Sequence, residues 1–380
     1  MAPTMSRRPM TVVQLLPALE SGGVERSTLE IAEALQRAGH RAIVVSAGGR
    51  LVAALEATGA RHVTLDIGRK SPATLRHAWA LRRLFREVDA DIVHARSRVP
   101  AWLARIALRT RADGARPRLV TTVHGLNSPS RYSAVMASGE RVICVSETVR
   151  RHVLEHYPDT DASRLRVIPR GIDPLRFPRA PATDPAARAR VAAEHPALGG
   201  DGPLLLLPGR GTRLKGHADA LRLLDMLRGG GLDARLWLPG AREPARAGYV
   251  AELEASAAAL GIADALAITA PTHEMPAAYA ASDLVLQLSR RPEAFGRTVL
   301  EARAVGRPVV GWNHGGVAEM LQDWLPEGAV KPFDMEALQA AALQLLAHPP
   351  RPPDTMPDTL RQMQDATLGL YAELDATRGS

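Results

Sequence analysis

Cysteine is nearly absent: Cys144 is the single one in 380 residues, so no intrachain disulfide can form and a reducing compartment suits the chain. Aromatic residues make up only 4%, so a ligand pocket must rely on glycine, charge and hydroxyls more than on stacked rings. No apolar run approaches the ~18–20 residues that cross a bilayer. The basic start followed by TVVQLLPALE lacks a small-residue cleavage site and is interrupted by Pro17 and Glu20, so no signal peptide is read. Lysine is scarce too. Only Lys70, Lys215 and Lys331 occur among 48 basic residues, and arginine supplies the rest.

What is present is an ordinary globular composition, 46% hydrophobic and 23% charged, in a chain long enough for two domains, each with its own core. The net charge is +8, and the basic residues crowd the first third: Arg76, Arg82, Arg83, Arg86, Arg96, Arg98, Arg105, Arg109, Arg111, Arg116 and Arg118. Two readings stand: a solvated surface whose arginine reflects base composition, or attraction to a phosphate-rich surface. Arg76, Arg82, Arg83 and Arg86 fall on a predicted helix, where Trp79, Leu81 and Leu84 are expected to supply partial insertion into an anionic leaflet. Interleaved aromatics and nucleic-acid-binding modules are lacking, so no nucleic-acid partner is expected.

Short apolar runs at 11–16, 42–47, 62–67, 91–95, 118–124 and 141–146 alternate with amphipathic stretches such as STLEIAEALQRAG. That alternation predicts a parallel sheet covered on both faces. It breaks in a Pro/Gly/Ala-rich stretch and restarts with runs at 203–209, 234–240, 265–270, 283–289 and 307–312. The expected organisation is a Rossmann-like domain over 1–170, a linker with one short helix over 171–202, a second Rossmann-like domain over 203–350 and a tail helix within 351–380. The fold class is thus α/β, two facing doubly wound domains with a cleft between them, and ligands belong outside the carboxyl ends of the strands.

Three strand-to-helix turns carry candidate chemistry. Ser21-Gly22-Gly23-Val24-Glu25 opens the first helix, and its paired glycines let a ligand approach exposed amides. Pro208-Gly209-Arg210-Gly211-Thr212-Arg213-Leu214-Lys215-Gly216 follows the first strand of the second domain. It is neither a P-loop nor a dinucleotide fingerprint, but Arg210 and Lys215 suit a diphosphate. Pro292-Glu293-Ala294-Phe295-Gly296-Arg297 leads into a helix bearing Glu301. Amides around Phe295 and Gly296 form an anion site there, and the two glutamates can accept hydrogen bonds from hydroxyls. Each turn also has a plain structural reading as a cap or a solvated loop.

These segments resemble glycosyltransferase family 4, the retaining, metal-independent enzymes of GT-B architecture. The likeness rests on SGGVE, on VTTVHG with His124, on VIPRGID, PGRGTRLKG, PEAFGRTVLEA and GGVAE (315–319), all in family order. The Glu-x7-Glu element is the most specific. The hinge departs from the pattern, with Arg170 where Asn is usual. The resemblance implies that Glu301 holds the ribose of a nucleotide-sugar donor, and that Arg210 and Lys215 neutralise its diphosphate, with Gly22 and Gly23 approaching it. It implies that Glu293 contacts sugar hydroxyls and that His124 does so from the acceptor side. No metal or other cofactor is expected. The implied activity is transfer of a sugar to a glycan or lipid-linked acceptor in cell-envelope polysaccharide or lipopolysaccharide synthesis, in the cytoplasm or peripherally at the inner face of its membrane. A sugar-nucleotide epimerase and a non-catalytic nucleotide-sugar-binding subunit are the alternatives. His152-Val-Leu-Glu155-His156 matches an inverted zinc-protease pattern, but Pro158 ends that helix and no third ligand is evident, so no metal is assigned. Cys144, inside a predicted strand, is read as core.

Overall fold

The computed structural model describes residues 8–20, 22–109, 117–180, 182–351, 356 and 358–376; Ser21, Arg111 and Arg116 lie outside them. The chain forms two compact units, one made of the chain up to Gly171 together with the segment from Leu360, the other of Ile172–Thr359.

The first unit holds strands β1 (Thr11–Leu15), β2 (Arg41–Ser46), β3 (Arg61–Thr64), β4 (Ile92–Ala95), β5 (Arg118–Val123), β6 (Arg141–Cys144) and β7 (Leu165–Val167). They are all parallel, in the order β3-β2-β1-β4-β5-β6-β7. Its helices are α1 (Gly23–Arg37), α2 (Val52–Glu56), α3 (His77–Glu87), α4 (Arg98–Leu108) and α5 (Glu147–His156). The continuous apolar runs form these strands because both sheet faces are covered. Val12, Val44, Ile92, Val120 and Ile143 lie under α1 on one face; Val13, Ile43 and Val93 lie under α3 and α4 on the other.

The second unit repeats the plan. Helix α6 (Pro185–Glu194) precedes β8 (Leu204–Leu206), α7 (His217–Gly229), β9 (Arg235–Pro239), α8 (Ala247–Ala259), β10 (Leu266–Thr269) and α9 (Met275–Ala281). Then come β11 (Leu284–Gln287), α10 (Arg297–Val305), β12 (Val309–Trp312), α11 (Gly315–Trp324), β13 (Ala329–Val330) and α12 (Met335–Ala347). The parallel order is β10-β9-β8-β11-β12-β13. In both sheets the order reverses beside the first strand, between β1 and β4 and between β8 and β11. A doubly wound sheet opens its ligand crevice at such points.

Three expectations change. Residues 171–202 are not a free linker: Ile172, Phe177, Ala187, Val191 and Leu198 are buried in the second unit's core. The one short helix expected there is α6, and Asp184 caps it by accepting hydrogen bonds from Ala186 and Ala187 with proline next in line. The tail helix α13 (Leu360–Ala376) does not stand alone either. It rejoins the first unit, where Met363, Leu370, Tyr371 and Leu374 enter the core beneath α1. On α3, Leu81 and Leu84 face the core and cannot insert into a leaflet, whereas Trp79 is 73% exposed. The short strands β7 and β13 carry too few residues for an alternation signal.

Leu370 is 5% exposed, so Leu370→Ala should destabilise the first unit by about 2–5 kcal/mol. Denaturant unfolding checks this; an unchanged midpoint would mean the tail is not part of that core.

Candidate active site

In the second unit the chain leaves β8 and enters the loop that carries Arg210 and Lys215. Arg213–Lys215 forms one tight turn, and Gly216 caps α7 with φ at +77°. A Cβ on Gly216 would sit 2.0 Å from the Leu288 carbonyl oxygen, so only glycine lets this loop press against the end of β11. The approach brings Lys215 to Glu293: Nζ donates to Oε1 at 2.6 Å. Ser289 donates its hydroxyl to the same oxygen. Burial alone would raise the Glu293 carboxyl, but the Lys215 charge and the hydrogen bonds from Lys215 and Ser289 outweigh it, holding the group below the usual carboxylate range. Arg210 is exposed, and its guanidinium forms no ion pair among the described residues.

A second backbone contact sets the other half. Gly316 N donates to the Glu293 carbonyl at 2.7 Å, and a Cβ on Gly316 would lie 2.6 Å from Phe295 Cα. The GGVAE segment therefore clamps the PEAFG loop directly. Phe295 packs against the core, Gly296 takes φ +138°, and α10 begins at Arg297 with no side-chain cap. By contrast Ser146, Asp184 and Asp334 cap α5, α6 and α12. Uncapped amides at a helix start attract an anion. One turn on, Glu301 is held from both sides: Tyr279 donates to Oε2 at 2.9 Å and Arg297 Nε to Oε1 at 2.8 Å. Tyr279 is fully buried, and burial, followed by the Glu301 charge, pushes its hydroxyl well above the usual range. It is a fixed donor. Each Glu301 oxygen keeps a lone pair for a further donor.

In the first unit, Gly22 and Gly23 open α1, again without a side-chain cap. Nothing lies within 4 Å of a Cβ built on Gly23, whereas one on Gly22 would meet only the flexible Glu25 carboxylate. At the β1–β4 reversal, Arg96 is 3% exposed; its Nε donates to Gln14 Oε1 at 2.8 Å and its NH1 to Ser27 Oγ at 3.1 Å. Beside it, His94 bonds the Tyr371 hydroxyl through Nδ1 and Thr122 Oγ1 through Nε2, both at 2.6 Å.

His124 directly follows β5, and Arg170 donates from its NH2 to His124 Nδ1. An arginine can only donate, so Nδ1 is the accepting nitrogen and the neutral ring carries its proton on Nε2. That Nε2 is buried and has no partner among the described residues. Burial first, then the charges of Arg170 and Arg96, hold the imidazole well below its ordinary pKa. The hinge arginine thus sets the state of the histidine.

His152 and His156 contact edge to face at 4.5 Å, and His152 Nε2 lies 3.1 Å from the Asn127 carbonyl. Among the described residues no three His, Cys, Asp or Glu side chains gather as a metal site. Cys144 is buried, which pushes its thiol up to about 12.

Two Rossmann-like units, one with a basic loop beside a glutamate and an uncapped helix bearing a second glutamate, define a glycosyltransferase of the GT-B type. The chain belongs to glycosyltransferase family 4. The profile described as Glycosyltransferase Family 4 matches residues 21–176, and that described as Glycosyl transferases group 1 matches 192–362. A GDP-mannose-dependent alpha-(1-6)-phosphatidylinositol monomannoside mannosyltransferase from Mycolicibacterium smegmatis is 30% identical over 71% of each chain. A D-inositol 3-phosphate glycosyltransferase from Geodermatophilus obscurus is 32% identical over 64% of this chain and 52% of its own length. The crystal structure of a glycosyltransferase from Rickettsia africae superposes with a TM-score of 0.84 at 27% identity, covering 97% of this chain and 99% of that one.

The structure joins Lys215 to Glu293, which the motifs had assigned to different parts of a donor. Sequence reasoning missed Tyr279, Ser289, Arg96 and Tyr371, for none lies inside a glycine loop. Arg170 was visible only as a departure from the family pattern. Replacing it by Asn should raise the His124 pKa part of the way towards its ordinary value, since burial remains. A nitrogen-detected NMR titration checks this, and an unmoved His124 would remove Arg170 as its partner.

Proposed function

We propose that this protein is a retaining, metal-independent glycosyltransferase acting at the inner face of the cytoplasmic membrane. It transfers a hexosyl-type sugar from a nucleotide-diphosphate sugar to a glycan or lipid-linked acceptor, in the synthesis of cell-envelope polysaccharide or lipopolysaccharide. The observation that carries the reading is the Lys215–Glu293 pair, set at the uncapped start of α10 with Glu301 eight residues on. A leaving diphosphate needs positive charge, and Lys215, Arg210 and the α10 amides offer it without a metal. Glu301, fixed by Tyr279 and Arg297, accepts from the ribose diol. Glu293 becomes available to sugar hydroxyls as Lys215 turns to phosphate. The mycobacterial relative's name specifies GDP-mannose, which supports a nucleotide-sugar donor.

The Glu293 carboxylate is engaged by Lys215 and Ser289, which supports attack from the donor's own face over an enzyme-bound intermediate. The bond from C1 to the phosphate oxygen breaks, the acceptor oxygen bonds to C1, and its proton passes to the departing phosphate. In the first unit, His124 Nε2–H has no partner among the described residues and is available to a hydroxyl. Exposed Arg76, just before α3, and Trp79, Arg83 and Arg86 on it fall at helical spacing, supporting peripheral contact with an anionic leaflet.

Purified protein incubated with a panel of nucleotide sugars, with and without candidate acceptors, tests the activity. Acceptor-dependent transfer that persists in EDTA supports it; donor epimerisation, or donor binding with no turnover, contradicts it. Lys215→Ala and Arg210→Ala should each lower turnover about 10²-fold or more with folding intact; turnover close to wild type in either would remove the diphosphate role. Glu301→Ala should weaken donor binding by roughly 1.5–3 kcal/mol. Calorimetry reads this directly, and a loss confined to acceptor affinity would contradict it.

A further inference from the structure

The first unit carries an apolar groove of about 510 Å³, walled by Pro72, Leu75, Val99, Trp102, Leu103 and Tyr132. Its walls come from the chain segments that follow β3, β4 and β5, so it opens at the carboxyl end of the sheet, where His124 also lies. That volume is in the range of small-molecule pockets. Leu75 is 52% exposed, an apolar side chain turned outward beside the opening. Trp102 spends its indole N–H on the Tyr132 carbonyl at 3.0 Å, leaving carbon to face the groove.

Its charge gathers around Tyr132. Lys70 Nζ lies 5.6 Å and the Arg98 guanidinium 5.2 Å from the Tyr132 ring centroid. Arg69, at the same rim, pairs with Asp66 at 2.6 Å, but neither Lys70 nor Arg98 pairs with a carboxylate among the described residues. Two cations with no acid of their own thus flank the ring that forms one groove wall. A sugar in such a groove would lose water from its hydroxyls and find few partners. A free anion would leave the apolar walls uncovered. A ligand with a hydrocarbon part and an anionic group at one end satisfies both.

We propose that this groove binds the hydrocarbon part of a lipid-linked acceptor, with the acceptor's phosphate held by Lys70 and Arg98. The inference rests on the transferase reading and narrows its acceptor from glycan or lipid to an anionic amphiphile.

Dodecyl phosphate, kept below its micelle concentration, is the probe, and calorimetry the readout. Saturable one-to-one binding is expected, at least ten-fold tighter than that of inorganic phosphate or of dodecyl maltoside. Leu75→Glu and Lys70→Glu should each weaken it ten-fold or more; both positions are exposed, and circular dichroism confirms folding. Equal affinity for inorganic phosphate, equal affinity for the neutral detergent, or no binding at all overturns the proposal. So does binding lost in Arg83→Glu but kept in Leu75→Glu, which would place the amphiphile on α3. The two readings fail separately: a protein that turns over nucleotide sugar yet ignores dodecyl phosphate loses the groove, and one that binds dodecyl phosphate without any turnover loses the transferase.

Discussion

The geometry around Glu293 and the start of α10 depends on one backbone contact, the hydrogen bond from Gly316 N to the Glu293 carbonyl. It exists because two chain segments approach closer than any Cβ would permit. That contact fixes the PEAFG loop over the start of α11, and the loop in turn fixes both where α10 begins and where the Glu293 carboxylate lies. Gly216 plays the matching part on the other side, pressing the Lys215 loop against the end of β11. Four elements are thereby held by two glycine contacts, and the ion pair between Lys215 and Glu293 is the chemical result.

Such a pair, partly buried and shared with Ser289, is a poor source of stability, because each ion has given up water to form it. Its value lies in readiness. In the proposed function, the lysine exchanges that carboxylate for a phosphate oxygen with little net change in charge contact, and the carboxylate it releases becomes free to accept from sugar hydroxyls. The first unit uses the same economy of groups. Arg170 fixes the tautomer of His124, while the Tyr371–His94–Thr122 chain ties the end of the polypeptide to the strands beside it.

Much of the fold was legible because a parallel strand covered on both faces is largely apolar, and TVVQL, AIVVS and LVLQ show it with one or two polar residues each. Family 4 membership was legible for a similar reason: glycines at close backbone contacts, and glutamates eight residues apart on one loop and helix, are spacings that chance seldom assembles in order. Pairings between distant residues were not legible. Tyr279 reaches Glu301 from a different helix, and nothing in the MPAAYAA run sets that tyrosine apart from core. In the 171–202 stretch the short helix was legible but its packing was not, because proline and alanine serve a packed helix as well as a linker. On α3, the basic residues drew attention from Leu81 and Leu84, whose spacing from the exposed stripe marks them as inward.

The exchange of Lys215 from Glu293 to a diphosphate is the step on which the account turns, and a crystal structure with GDP or UDP bound tests it most directly. Lys215 Nζ and Arg210 should then stand within hydrogen-bond distance of diphosphate oxygens, with Glu301 on the ribose hydroxyls. A bound diphosphate that leaves Lys215 on Glu293 alone, with no phosphate contact, would contradict the account.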